Sequence, residues 1–255
     1  MHIGLFDSGV GGLTVLKEIR NQIPDAKYSY LGDTARLPYG NKAPETLEQY
    51  SQENMEKLDR LGVDAVVVAC HSASSVLLNE DHTPNGAPLI NVIAPSCEQA
   101  VIRSHSQKIG VLSTKATARS QVYPNYISTL APEAQVISQD GPLLVPLVEE
   151  GLIEDEITEI ALKRYLNPML KQGVDVIILG CTHYPILKSE MAKISGPDVH
   201  LLDPAVAVAE KLKLGLGAST SAYSMDVYLT DHSPHFVKHA QKILGETEMK
   251  IHYPN

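Results

Sequence analysis

Two segments of this sequence run in parallel and end alike. Gly62-Val63-Asp64-Ala65-Val66-Val67-Val68-Ala69-Cys70 and Gly173-Val174-Asp175-Val176-Ile177-Ile178-Leu179-Gly180-Cys181 each pass from a Gly-Val-Asp entry through an apolar run onto a thiol. One free cysteine at the end of such a run is usually a small buried hydrophobe. Two at matched positions of an apparent repeat point instead to paired chemistry. A thiolate is a base and a thiol an acid. Set on opposite sides of one substrate, they can take a proton from a stereocentre and return it to the other face, exchanging roles for the reverse reaction. Cys97 has no counterpart in the echo. A second pair, Ile3-Gly4-Leu5-Phe6-Asp7-Ser8 and Ile109-Gly110-Val111-Leu112-Ser113-Thr114, opens each half at nearly the same distance upstream. The halves read as duplicated lobes.

The neighbours of the cysteines are polar. Ser72 and Thr182 carry hydroxyls that can cap a helix or donate to a ligand. Each thiol is expected to precede a helix start, where N–H groups and the helix dipole lower a thiol pKa. His183 can tune the Cys181 thiol, or be a buried histidine bonded to backbone. Asp7 can orient a thiol or a substrate ammonium, or serve as a helix N-cap. The loop after it, with Gly9, Gly11 and Gly12, lacks both the G-x-G-x-x-G spacing and the Gly-Lys-Ser/Thr of phosphate loops. Its small residues still let backbone N–H groups approach a carboxylate. The run from Gly32 to Gly40, with Asp33, Arg36 and Tyr39, is either only a long connection or part of the cleft lining.

Short β-branched runs alternate with amphipathic stretches, the pattern of βαβ units in a mainly parallel sheet buried on both faces. Strands are expected at Ile3–Phe6, Lys27–Leu31, Ala65–Ala69, Leu89–Val92, Ile109–Leu112, Gln135–Ser138, Val176–Leu179 and Val199–Leu202. Helices are expected at Gly12–Asn21, Thr46–Leu61, Ser74–Leu78, Ser96–Ser104, Ser120–Leu130, Glu154–Gln172, Ala205–Leu212 and Pro234–Leu244. Turns or crossings fall at Thr83–Pro88, Ala94–Pro95 and Ser195–Asp198. The fold class is α/β, with two pseudo-symmetric lobes, each a parallel sheet flanked by helices. The first comprises residues 1–93 plus 205–255 and the second 94–204. Open α/β sheets bind ligands outside the carboxyl ends of their strands, so the site belongs in the cleft between the lobes.

Composition narrows the classes. A chain of 255 residues can bury one large or two small cores. A formal net charge of −9 argues against a nucleic-acid-coating surface. An odd cysteine count, 3, speaks against a disulfide framework, and neither Cys-x-x-Cys nor His-x-x-x-His spacing supports zinc. No lysine is expected beside the matched strand ends, so neither pyridoxal phosphate nor a metal is expected. No stretch approaches the roughly 18 apolar residues of a membrane span. The N-terminus lacks the basic and apolar regions of a signal peptide, which predicts a cytoplasmic address.

Asp7-Ser8-Gly9-Val10-Gly11-Gly12, Gly32-Asp33-Thr34-Ala35-Arg36 with Pro38-Tyr39-Gly40, Val68-Ala69-Cys70, Val145-Pro146-Leu147-Val148-Glu149-Glu150-Gly151 and Leu179-Gly180-Cys181-Thr182-His183-Tyr184-Pro185 together resemble the glutamate racemases. The likeness runs through nearly the whole chain. It implies interconversion of L- and D-glutamate without a cofactor, supplying peptidoglycan precursors. It also implies that Cys181 deprotonates L-glutamate and Cys70 D-glutamate, with Asp7 and His183 supporting the thiols. By the same resemblance Ser8, Tyr39 and Gly40 receive the side-chain carboxylate, and Ser72 and Thr182 the α-carboxylate. The sequence departs from the family at His71-Ser72, where Asn-Thr is usual, and at Ala94, where many members are acidic. His71 is expected beside Cys70, either protonated and tightening glutamate binding as pH falls from about 8 to 6, or turned away onto a backbone carbonyl. The partner is thus a small molecule, with a homodimer the one protein assembly kept open. The rival readings are a racemase of aspartate or another small acid, and a two-lobed binding module, which the missing export signal disfavours.

Overall fold

The computed structural model describes residues 1–216, 222–246 and 248–254; residues 217–221, 247 and 255, all in the tail assigned to the first lobe, lie outside it. Among the described residues ten strands alternate with helices: β1 (His2–Asp7), β2 (Lys27–Gly32), β3 (Ala65–Val68), β4 (Leu89–Asn91), β5 (Lys108–Ser113), β6 (Gln135–Asp140), β7 (Val176–Gly180), β8 (His200–Leu202), β9 (Ser224–Leu229) and β10 (Lys250–His252). The helices are α1 (Leu13–Gln22), α2 (Pro44–Arg60), α3 (His71–Ser74), α4 (Ile93–Arg103), α5 (Lys115–Ser120), α6 (Val122–Leu130), α7 (Leu144–Glu149), α8 (Glu156–Leu170), α9 (Lys188–Ser195), α10 (Pro204–Leu216) and α11 (Pro234–Leu244). Among the described residues no helix is long and apolar enough to cross a membrane.

The strands form two parallel sheets, ordered β10-β9-β2-β1-β3-β4 and β6-β5-β7-β8. Removing β9 and β10 leaves the same order in each half, and the registers agree. Ile3 lies opposite Ala65 as Ile109 lies opposite Val176, and Val67 opposite Ile90 as Ile178 opposite Leu202. The sequence echo is therefore also a register echo. Its Gly-Val-Asp entry has a local cause. Gly62 and Gly173 both leave a helix with positive φ, +69° and +78°, which a side chain would strain. Asp64 then accepts the His2 N–H at 2.7 Å, while Asp175 accepts the N–H groups of His105 and Ser106 at 2.7 and 2.6 Å.

Alternation along the strands sorts side chains into three layers. Ile3, Leu5, Val67, Ile109, Val111 and Ile178 face a central core shared by the two sheets and filled by α1, α4, α6, α10 and α11. Phe6, Val66 and Val68 face the outer layer under α2, and Ile177 and Leu179 that under α8 and α9. The shared middle layer holds the two sets of strand ends against one another.

Some expectations need correction. The helix placed at Ser74–Leu78 starts at His71, directly after Cys70, and lasts four residues. Ala94–Pro95 is no break but the first turn of α4, where a proline has no helical N–H to lose. The segment around Ser120 is two helices parted at Gln121, whose φ is +54°. β9, β10, α5, α7 and α9 were not anticipated.

Candidate active site

The carboxyl ends of the inner strands meet across the cleft: Asp7–Ser8 at the end of β1, Cys70 just past β3, Ser113–Thr114 at the end of β5 and Cys181 after β7. Between them lies a cavity of about 90 Å³, lined among others by Ser8, Cys70, Ser72, Thr114, Cys181 and Thr182. One water needs only about 10–15 Å³ of such space, so the cavity suits a small solute. Both thiols are unpaired and buried. Cys97, on α4, is fully buried and does not line the cavity.

The thiols differ in their surroundings. Burial, reinforced by the nearby Asp7 charge, pushes the Cys70 thiol well above its ordinary pKa; backbone N–H groups of Ala73 and Ser8 oppose the shift only in part. The helix-start effect expected here is thus outweighed, α3 being a single turn. Cys181 precedes a 3₁₀ turn, Tyr184–Leu187, rather than an α-helix. Its partner is His183, whose Nδ1 lies 3.9 Å from Sγ. His183 Nε2 lies 3.4 Å from Glu149 Oε1, an ion-pair distance without hydrogen-bond alignment. Burial resists protonation of His183, but Cys181, Glu149 and Asp7 override it and push the pKa up to about 10. The His183 ring thus stands against the Cys181 sulfur rather than on a backbone group.

Asp7 is not the N-cap of α1, which is Gly12, but it ties the loop ahead of that helix to the opposite lobe. Oδ2 accepts the N–H groups of Gly9 and Gly12 at 3.1 and 3.0 Å, fixing the entry to α1, and Oδ1 accepts Thr182 Oγ1 at 3.4 Å from the opposite lobe. Thr14 donates to the Thr182 carbonyl at 3.2 Å. A Cβ on Gly11 would sit 2.4 Å from Thr182 Oγ1 and 2.6 Å from the His183 ring, so only glycine permits this closure of the lobes.

Ser72 Oγ lies 2.9 Å from Thr114 Oγ1, which itself lies 3.1 Å from Thr117 Oγ1. In the sequence Thr114 stands out only as the echo of Ser8, and that echo is the signal that finds it. Tyr39 and Gly40 line the cavity, but the Tyr39 hydroxyl is given to Asp33, which also pairs with Arg36 at 2.6 Å. What Tyr39 and Gly40 can offer a ligand is therefore backbone N–H at the start of a 3₁₀ turn, not phenol.

His71 departs most from expectation. Burial holds its pKa down at about 3, so the ring is neutral in the working range and is not the protonated partner of a carboxylate. It does not turn onto a backbone carbonyl either. Nδ1 lies 2.8 Å from the hydroxyl of Tyr123 on α6, and His71 lines the cavity beside Cys70 and Ser72. Tyr123 carried no signal in the sequence, because its partner lies 52 residues away in the other lobe. Glu149, within the run Val145–Gly151, reaches His183 only through the fold. Lys115 also lines the cavity, so lysine is not absent from the matched strand ends. Among the described residues no group of three or more His, Cys, Asp or Glu is placed to hold a metal ion.

Over residues 11–212 the chain matches the Asp/Glu/hydantoin racemase family. It is 43% identical to a glutamate racemase from Persephonella marina over 245 residues, 96% of this chain and 94% of the relative. Among solved structures it is similar to a glutamate racemase isoform from Bacillus anthracis, with TM-score 0.93 and 32% identity over 99% of this chain and 97% of that one. It is also similar to a Francisella tularensis glutamate racemase in complex with D-glutamate, with TM-score 0.89 and 30% identity over 99% and 97% of the two chains.

Proposed function

The chain belongs to the Asp/Glu/hydantoin racemase family, and on that premise we propose that it interconverts L- and D-glutamate, with Cys70 and Cys181 as acid and base on opposite faces of the α-carbon. The observation that carries this is the placing of two free thiols, from topologically equivalent strand ends, on one small cavity.

The surroundings of the two sulfurs support unequal resting roles. The raised pKa of His183 supplies an imidazolium beside the Cys181 sulfur, while Asp7 and burial keep Cys70 a thiol. The Cys181 thiolate takes the α-proton of L-glutamate, and the pair left on Cα spreads into the α-carboxylate. Cys70 gives its proton to the other face and becomes the thiolate. Release of D-glutamate leaves the enzyme with its proton on the other sulfur, the form that takes D-glutamate back or re-equilibrates through solvent. Because the enantiomers have equal free energy, kcat/KM must be equal in the two directions, and the asymmetry of the thiols appears in kcat and KM separately.

Ser72, Thr182 and His71 receive the α-carboxylate, and Ser8 with the backbone of Tyr39 and Gly40 the side-chain carboxylate. Asp7, by opposing a charge on Cys70, serves the acid role of that thiol. The lobes are 1–93 with 205–255 and 94–204, and chemistry needs no pyridoxal phosphate or metal. The product would serve peptidoglycan precursors in a bacterial cytoplasm, and a homodimer is the assembly to test by sedimentation. Purified protein incubated with L-glutamate, followed by circular dichroism, should lose its optical signal completely. Racemisation of aspartate or another acid in preference to glutamate, across a panel of amino acids, would overturn the substrate assignment. Loss of activity on treatment with a carbonyl reagent or chelator would overturn cofactor independence.

A further inference from the structure

We propose that Tyr123 is a positioning residue that fixes His71 in its Nε2–H tautomer, so that His71 presents a hydrogen-bond donor to the α-carboxylate of the substrate. The proposal rests on the glutamate reading above for the identity of the ligand, but not for the tautomer.

His71 and Tyr123 are 2% and 1% exposed, on α3 and α6 of opposite lobes, with Nδ1 and the phenol oxygen 2.8 Å apart. Burial leaves the imidazole neutral, with one proton for two nitrogens. Burial also raises the pKa of Tyr123, which therefore keeps its own proton. That proton must be placed, because a buried donor without an acceptor costs more than an acceptor without a donor. The bare imidazole nitrogen is a stronger base than a phenol oxygen, and the phenol a stronger acid than a neutral imidazole N–H. O–H···Nδ1 is thus favoured over the reverse. The Ser96 hydroxyl donates to the Val92 carbonyl, which leaves its oxygen as a rival acceptor beside the phenol; the imidazole nitrogen is the far stronger base and takes the phenol proton.

With Nδ1 occupied as acceptor, the single ring proton stands on Nε2. A donor at a cavity wall fits a carboxylate, whereas a lone pair there would fit an ammonium. Asparagine, the usual residue, can turn either its N–H₂ or its carbonyl toward a ligand. Histidine held from behind by Tyr123 offers only N–H, and because the ring stays neutral it does so without titrating in the working range.

Nitrogen-15 NMR of histidine-labelled, ligand-free protein at neutral pH tests the tautomer directly. The expected spectrum shows Nδ1 of His71 as a bare, hydrogen-bonded nitrogen and Nε2 carrying the proton; a proton on Nδ1 overturns the proposal. This arm needs no catalysis, so it stands apart from any failure of the glutamate assignment. It also needs no variant, so it survives a folding defect. In kinetics, Tyr123→Phe should raise KM for glutamate roughly 5–10-fold while kcat changes by less than about twofold. In the His71→Asn background, the same substitution should change KM by less than about twofold. An equal rise in both backgrounds would mean that Tyr123 acts through packing and not through His71.

Discussion

Replacing His183 with asparagine isolates the electrostatic part of the site. The substitution removes an imidazolium 3.9 Å from the Cys181 sulfur. At that distance, and with an effective dielectric near 20, two unit charges attract by about 4 kcal/mol. Water entering the vacated space and the remaining amide dipole recover part of this, leaving a loss of about 2–3 kcal/mol, or roughly 30–150-fold in kcat/KM. The wild-type pH profile has a matching signature. A raised pKa means that the charged form persists below it, so activity should hold into the alkaline range and fall as pH rises through about 10. In His183→Asn that fall should vanish, because the group that titrates there is gone. The assay is circular-dichroism racemisation from acid to alkaline pH, with thiolate absorbance read on the same samples. A loss of less than about threefold with an unchanged profile would refute the imidazolium–thiolate pair.

Four further outcomes follow from the same geometry. Gly62→Ala forces a positive-φ position with open space around it, so it should cost about 1 kcal/mol of stability in urea titration and leave activity intact. Gly11→Ala, whose Cβ would strike Thr182 and His183, should instead abolish most activity, and equal behaviour of the two variants would count against the role given to lobe closure. His71 refuses a proton until about pH 3 in the fold, whereas the unfolded chain accepts one below about 6.5, so stability should fall as pH drops through that window. The slope is up to about 1.4 kcal/mol per pH unit, and His71→Asn should reduce it in denaturation at pH steps across the window.

Much of this fold is legible in the sequence because its inner strands are buried on both faces, and such strands must be continuous apolar runs. Ile3–Phe6, Ala65–Ala69 and Val176–Leu179 announce themselves in that way. β9 and β10 do not, since Ser224–Leu229 is mixed in polarity and half-buried, and Lys250–His252 is a three-residue edge. The short helices α5, α7 and α9 have 6, 6 and 8 residues, too few for an amphipathic period to emerge. In the site, Cys70, Cys181 and Ser72 are legible as residue types at matched strand ends. What cannot be read is which neighbour each group meets. The Tyr39 phenol is taken by Asp33, Glu149 reaches His183 from α7, and Tyr123 reaches His71 from the other lobe. Those pairings are set by how the two sheets close on a shared core, and no local pattern encodes them.

The central claim is that two thiols act from opposite faces, and α-hydrogen exchange in deuterium oxide tests it most directly. Cys70→Ser and Cys181→Ser are each incubated with L- and with D-glutamate, and deuterium at Cα is followed by NMR beside the optical signal. Each variant should racemise at less than about a tenth of the wild-type rate, a barrier increase of more than roughly 1.4 kcal/mol, because a hydroxyl is a far weaker acid than a thiol. Cys97→Ser should behave as wild type. Any residual exchange should be one-sided: Cys70→Ser, which keeps the Cys181 base, should label only L-glutamate, and Cys181→Ser only D-glutamate. Labelling of both enantiomers by either variant, or racemisation above about a tenth of wild type, would contradict the two-thiol mechanism.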